Sequence, residues 1–121
     1  MINTAVKHIQ PQDAFDKITK GDALLIDIRE WEEIEIFAYD VEPQLVLPLS
    51  ELSTRFHEIP RDQEVIIACN SGSRSHQLVQ YLREQHYLNA VNLYGGIQEW
   101  LNLNLPVTWD NQIPDEKKKS A

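Results

Sequence analysis

The chain has 121 residues, of which 42% are hydrophobic, and this size and content are typical of a single globular domain. Its formal net charge of −8 at pH 7 would repel the phosphate backbone of a nucleic acid, so we expect no nucleic-acid partner. The longest apolar run, residues 65–69, is too short to cross a bilayer, and residues 1–8 lack the apolar core of a signal peptide. These features predict a cytoplasmic protein with no membrane partner.

A short helix and a buried strand are predicted near the start of the chain. Pro11 and Asp13 suit the first turn of a helix, Ile18 belongs to its apolar face, and Gly21 is placed to end it. Residues 23–28 are apolar along most of their length, which predicts a strand covered on both faces.

Two charged residues, Asp27 and Arg29, lie at the end of this predicted strand. Binding sites in open α/β sheets form at the carboxyl ends of strands, so both residues are candidates for the wall of a pocket. The acid and the base could equally well pair with each other and with loop amides. The sequence leaves both interpretations open.

An acidic segment, residues 31–36, follows the two charged residues. It predicts one or two helical turns with Trp31 and Ile34 facing inward and Glu32, Glu33 and Glu35 in solvent. The carboxylates could form an acid/base pair, but a run of charges more often marks a solvated helix face.

The middle of the chain predicts a short strand and another helix. Residues 45–47 are apolar and precede Pro48, which suits the end of a strand. Ser50 is a plausible N-cap for a helix that extends to about Glu58.

The only cysteine of the chain stands between a strand and a helix. Residues 65–68 are apolar, as expected for a buried strand, whereas Leu78, Val79 and Leu82 recur at helical spacing. A turn from a strand into a helix points backbone N–H groups and the positive end of the helix at one spot. Such a spot would stabilise the thiolate of Cys69 as a nucleophile.

We therefore predict Cys69 as the catalytic residue. The loop around it is the predicted substrate-binding segment and consists of Asn70, Ser71, Gly72, Ser73, Arg74 and Ser75. Gly72 allows a positive φ, Arg74 could brace the loop or hold an oxyanion of the substrate, and Ser75 could cap the helix or donate to the sulfur. The competing interpretation is that Cys69 is a small buried apolar residue.

The last third of the chain predicts a strand at residues 90–93, a tight turn at Gly95-Gly96, and a short helix with Trp100 in the core.

The periodic spacing of apolar residues fades after Asn102. Residues 114–121 contain three consecutive lysines and predict a flexible solvated tail, or less simply a docking tail, so residues 1–113 form the predicted single domain. The histidines share no ligand spacing, and neither a metal site nor a cofactor is predicted.

Four segments follow the order seen in single-domain rhodaneses, and the resemblance covers residues 9–107. They are Asp27-Ile28-Arg29-Glu30, Pro48-Leu49-Ser50-Glu51-Leu52, the Cys69 loop, and Tyr94-Gly95-Gly96-Ile97-Gln98-Glu99-Trp100 with Leu105-Pro106-Val107. The resemblance implies an α/β, rhodanese-like three-layer fold, in which a mostly parallel five-stranded sheet has helices on both faces.

The same resemblance implies a sulfurtransferase. The cysteine of this family takes a sulfane sulfur from a donor such as thiosulfate or a persulfide, and passes it from the resulting persulfide to a nucleophile. Since Cys69 is the only cysteine, the acceptor must be external: a thiol, a sulfur-accepting protein or cyanide. Arg74 is the only charged residue of the loop, so thiosulfate is expected to be a poor donor and a persulfidated protein a better one.

Two other functions remain open. One is a cysteine-dependent phosphatase, but only residues 70–73 separate Cys69 from Arg74, and the related phosphatases have a longer loop. The other is a non-catalytic protein-binding module or a slow sulfur carrier with the same fold. Residues 37–44 replace the usual Gly-His-Ile and Gly-Ala of the family, so the pocket wall that they contribute does not follow from the resemblance.

Overall fold

The computed structural model of the protein describes residues 5–110, and the predicted tail at residues 114–121 lies outside them. In chain order the elements are β1 (His8–Ile9), α1 (Pro11–Thr19), β2 (Ala23–Asp27), α2 (Trp31–Ile36), β3 (Phe37–Tyr39), β4 (Gln44–Val46), α3 (Leu52–Arg55), β5 (Glu64–Ala68), α4 (Ser73–Glu84), β6 (Ala90–Leu93), α5 (Gly96–Asn102) and β7 (Val107–Trp109). Short 3₁₀ turns, Leu49–Glu51 and Phe56–Glu58, flank α3. Within residues 5–110, no helix has the length and apolar content needed to cross a membrane.

Five strands form a parallel sheet in the order β1-β6-β5-β2-β4, with β5 at its centre. Strand β2 pairs with β5 so that Asp27 lies opposite Ala68. The carboxyl ends of both strands therefore reach the same edge of the sheet, and this edge carries the loop that begins at Cys69. A separate antiparallel pair joins β3 to β7.

Helices cover both faces of the sheet, as the sequence predicts. Side chains alternate along β5, because successive residues of a strand point to opposite faces. Ile66 and Ala68 join the core beneath α1 and α5, while Val65, Ile67 and Cys69 join the core beneath α4. The apolar run at residues 65–69 is thus divided between two buried layers.

The predicted helix from Ser50 to about Glu58 is wrong in its details. The segment is divided into a 3₁₀ turn, the four residues of α3, and a second 3₁₀ turn. Ser50 does not act as an N-cap, since its hydroxyl bonds to the Glu30 carboxylate at 2.5 Å. A contact between distant segments has replaced the local cap.

Three strands, β1, β3 and β7, were not predicted. The two-residue β1 pairs with β6, and β7 pairs with β3 after the point where the helical periodicity fades. All three are too short for an alternating pattern to identify them, because a strand of two or three residues contains at most one period of that pattern. Strand β4 begins one residue earlier than the predicted segment.

Candidate active site

The Cys69 side chain lies at the end of the central strand and is completely buried. Its sulfur accepts hydrogen bonds from the backbone N–H of Gly72 at 3.1 Å and of Ser75 at 3.4 Å. The Ser75 hydroxyl lies 3.2 Å from the same sulfur. The loop amides therefore point towards the thiol, as expected for a site that stabilises a negatively charged sulfur.

The geometry at Gly72 explains how the amides converge. Gly72 is the residue before α4 and has φ +98°, a left-handed conformation that glycine adopts without strain. As the N-cap residue of α4, Gly72 has no side chain with which to bond to the first helical turn. The N–H groups of a first helical turn lack partners within the helix, and the sulfur of Cys69 accepts one of them, from Ser75.

The first turn of helix α5 donates two backbone hydrogen bonds to the start of the Cys69 loop. The N–H of Ile97 donates to the Cys69 carbonyl at 3.0 Å, and the N–H of Gln98 donates to the Asn70 carbonyl at 3.1 Å. Gly96 makes this approach possible, because a Cβ atom at that position would lie 2.5 Å from the Asn70 oxygen and 2.6 Å from the Cys69 oxygen. Asn70 thus enters the site through its backbone.

Tyr39 supplies a further donor to the loop. Its hydroxyl donates to the Cys69 carbonyl at 2.9 Å, and only 2% of the residue is exposed. Tyr39 lies in the segment that departs from the family pattern, so the sequence did not identify it as a site residue. This segment reaches the loop because β3 is held beside β7.

The guanidinium of Arg74 binds the Glu33 carboxylate through both terminal nitrogens, at 2.8 and 2.7 Å. Glu33 also accepts the N–H of Glu30 at 2.9 Å, which closes a reciprocal cap at the start of α2. Glu33, predicted to lie in solvent, is instead only about one-third exposed and paired with Arg74. Of the two predicted roles of Arg74, bracing the loop is the one that its contacts fit.

The hydrogen bond from Arg74 lowers the pKa of Glu33 below its usual value of 4.5, although partial burial opposes the shift. The ionised form is thus favoured by folding. The contribution of ionised Glu33 to the free energy of unfolding is complete above the pKa that Glu33 has in the unfolded state. This contribution is lost as the pH falls through the lower pKa of the folded state.

Glu33→Gln is expected to lower the free energy of unfolding at pH 7 by about 0.5 kcal/mol, because the ion pair is one-third exposed and screened by solvent. The difference between this variant and the unchanged protein should shrink as the pH falls below about 4. Thermal unfolding of both proteins from pH 7 to pH 3 measures this difference in stability, and Glu32→Gln on the same helix controls for the change in net charge. A difference that stays constant down to pH 3 would contradict a role for the ionised pair.

Asp27 and Arg29 pair with each other, in agreement with the second interpretation of these residues. The Arg29 guanidinium donates to both Asp27 oxygens, with its shortest bond at 2.9 Å, and each side chain is only 1% exposed. Arg29 also donates to the Phe37 carbonyl at 3.0 Å. Burial raises the pKa of Asp27, while the charge and hydrogen bonds of Arg29 oppose that shift. The pair joins β2 to β3 and offers no free charge to a ligand.

Ser71, Gly72 and Ser73 line an open pocket of about 540 Å³, to which His8, His76 and Asn92 also contribute. The rings of His8 and His76 stack with their centroids 5.4 Å apart. Among residues 5–110, no group of three or more histidine, cysteine or acidic side chains is arranged to hold a metal ion.

The profile of the rhodanese-like domain matches residues 10–103 of the chain. The chain belongs to the rhodanese-like family. The predicted fold is confirmed by solved structures: a rhodanese-related protein from Thermoplasma volcanium superposes with a TM-score of 0.74 at 29% identity, covering 84% of this chain and 97% of that one. The polysulfide-sulfur transferase homodimer from Wolinella succinogenes, at 23% identity, has a TM-score of 0.75 and covers 86% of this chain and 79% of its own, which supports the fold alone.

Two relatives with names that describe an activity cover most of this rhodanese-like chain. A sulfurtransferase from Allochromatium vinosum is 44% identical over 87 residues, which are 71% of this chain and 78% of the relative. The thiosulfate sulfurtransferase GlpE from Haemophilus influenzae is 33% identical over 103 residues, which are 84% of this chain and 93% of GlpE.

Three residues that support the loop of this candidate site, Glu33, Gly96 and Tyr39, do not follow from the sequence analysis, and only the first two carry any local signal. Glu33 follows Glu30 by three residues, a spacing that suits a reciprocal helix cap. Gly96 was recognised as part of a turn but not as a contact surface. Tyr39 left no local signal, because its partner is 30 residues away in the sequence.

Proposed function

We propose that this protein is a sulfurtransferase that carries a sulfane sulfur as a persulfide of Cys69. The observation that supports this most directly is the convergence of the Gly72 and Ser75 amides on the Cys69 sulfur. These donors would stabilise the anionic sulfur both before and after sulfur uptake. Membership of the rhodanese-like family and the sulfurtransferase names of two relatives support sulfur transfer as the general activity.

In the first half-reaction the thiolate of Cys69 attacks the outer sulfur of a donor persulfide. A new S–S bond forms at Cys69, the S–S bond of the donor breaks, and the donor leaves as a thiolate. With thiosulfate as donor, the same attack releases sulfite. In the second half-reaction an external thiol, a sulfur-accepting protein or cyanide attacks the outer sulfur, and the Cys69 thiolate is restored. No internal acceptor is possible, because the chain has one cysteine.

We infer that a persulfide is a better donor than thiosulfate. Thiosulfate is a dianion, and binding it favours an available positive charge. Arg74 is the only charged residue in the loop, and both of its terminal nitrogens are engaged by Glu33. Arg29 is likewise engaged by Asp27. Both arginines are therefore paired with carboxylates, and the net charge of −8 opposes the approach of an anion.

Intact mass measurement tests this proposal. The protein is incubated with thiosulfate or with a persulfidated peptide, and a gain of one sulfur atom, removable by cyanide, is the expected result. Uptake from the peptide should be about tenfold faster, and Glu33→Gln, which leaves the Arg74 charge unpaired, should selectively speed uptake from thiosulfate. No gain in mass from either donor would contradict the persulfide, whereas equal rates would contradict only the donor preference.

A further inference from the structure

Two side-chain contacts and one backbone hydrogen bond hold Tyr39 in place. Its ring meets Trp100 edge to face, with the centroids 5.2 Å apart, and the Arg29 guanidinium carbon lies 5.5 Å from the ring centroid. The side-chain amide of Gln44 donates to the Tyr39 carbonyl at 2.8 Å. The phenol therefore has little freedom to leave the Cys69 carbonyl, to which its hydroxyl donates at 2.9 Å.

The hydroxyl of Tyr39 also keeps its proton. Burial raises the pKa of Tyr39 well above its usual value of 10, and the nearby Asp27 raises it further. The phenol is thus neutral at any pH at which the protein would work. A neutral phenol donates its hydrogen bond without introducing a charge beside the sulfur.

The bond that Tyr39 makes acts on the backbone of the nucleophile itself. The Cys69 carbonyl accepts two donors, the N–H of Ile97 at 3.0 Å and the hydroxyl of Tyr39. Together they fix the peptide unit from which the loop departs, so Gly72 and Ser75 meet the sulfur at 3.1 and 3.4 Å. They also counter the negative end of this carbonyl dipole, which would otherwise disfavour an anion on the same residue.

We propose that Tyr39 is a positioning residue for sulfur transfer, which acts through the Cys69 carbonyl to hold the loop amides on the reacting sulfur. This inference rests on the proposed sulfur transfer. It assigns a specific task to the β3–β7 pair: strand β3 carries the phenol, and its backbone is paired with β7 from Phe37 to Tyr39.

Tyr39→Phe tests the inference, because it removes the hydroxyl and keeps the ring. The rate of sulfur uptake in a single turnover should fall by about three- to tenfold, as expected for the loss of one hydrogen bond. The donor concentration for half-maximal rate should stay the same, since Tyr39 lies behind the loop and does not reach the donor. Tyr87→Phe is the matched control, because Tyr87 is also buried, with 4% exposure, and packs against Phe56, and it makes none of the hydrogen bonds to the Cys69 loop described above.

Amide hydrogen exchange at Gly72 and Ser75 provides a second measurement that needs no activity. Exchange at these two amides should be faster in Tyr39→Phe than in Tyr87→Phe, while exchange in α1 should match. The inference is overturned by an uptake rate within twofold of the unchanged protein, or by exchange that accelerates equally in α1. Should the unchanged protein take up no sulfur, the proposed function fails, and the exchange data still decide whether Tyr39 positions the loop.

Discussion

Cys69→Ser is expected to abolish sulfur uptake and to leave the fold intact. The serine oxygen can accept the same bonds from Gly72 and Ser75, so the free energy of unfolding should change by only about 1 kcal/mol. A serine hydroxyl without an adjacent general base is a very weak nucleophile, and it cannot form a persulfide. Since the chain has no other cysteine, no second thiol can substitute.

Intact mass after incubation with a persulfidated peptide measures this loss, and urea unfolding measures the stability of the variant. A mass gain of one sulfur atom in Cys69→Ser would show that the sulfur is held elsewhere. Hydrolysis of an aryl phosphate that disappears in the variant would instead favour the phosphatase. If the unchanged protein and Cys69→Ser are both folded and neither takes up sulfur nor hydrolyses the aryl phosphate, the non-catalytic binding module is favoured.

Gly96→Ala is expected to have the largest effect among substitutions outside the reactive residue. The φ of Gly96 is +58°, and this backbone conformation costs a residue with a Cβ atom roughly 1–2 kcal/mol of folding free energy. The new Cβ would lie 2.5 Å from the Asn70 oxygen, and such an overlap typically adds about 1–3 kcal/mol. The free energy of unfolding should therefore fall by roughly 2–5 kcal/mol.

Sulfur uptake by Gly96→Ala should fall by about a hundredfold, because the overlap displaces the peptide between Cys69 and Asn70 and with it the reacting sulfur. Gly21→Ala is the matched control. Gly21 also has a positive φ, of +81°, but no heavy atom lies within 4 Å of the position of its Cβ. Equal losses of stability and uptake at both glycines would show that backbone conformation matters and the close approach does not.

The proposed donor preference and the proposed role of Tyr39 both depend on contacts between the Cys69 loop and three other elements of the fold. Glu33 approaches from α2, Tyr39 from β3, and Ile97 from the start of α5. None of these groups bonds to the sulfur itself. Their shared effect is to hold a loop of small residues in one conformation, which is the condition under which backbone amides stabilise charge without reorganising.

Local sequence patterns are enough to predict the strand, loop and helix that make up the centre of the candidate site. A buried strand, a loop with a glycine and small serines, and an amphipathic helix are local patterns, because each depends on residues close together in the chain. The predicted strand and helix appear as β5 and α4, with Cys69 between them. The order of the four rhodanese-like segments was enough to predict the family and the layered fold, which the comparisons confirm.

The contacts that hold the loop, and the pairing of the nearby charges, come from residues far apart in the chain and follow only from folding. The Glu33 pair with Arg74 joins residues 41 positions apart, and the Tyr39 bond spans 30 positions. Charge runs and alternating patterns report exposure to solvent on average, and they cannot report a partner that folding brings from another element. Gly96 was visible as a turn residue, but its contact with Asn70 exists only once α5 packs behind the loop.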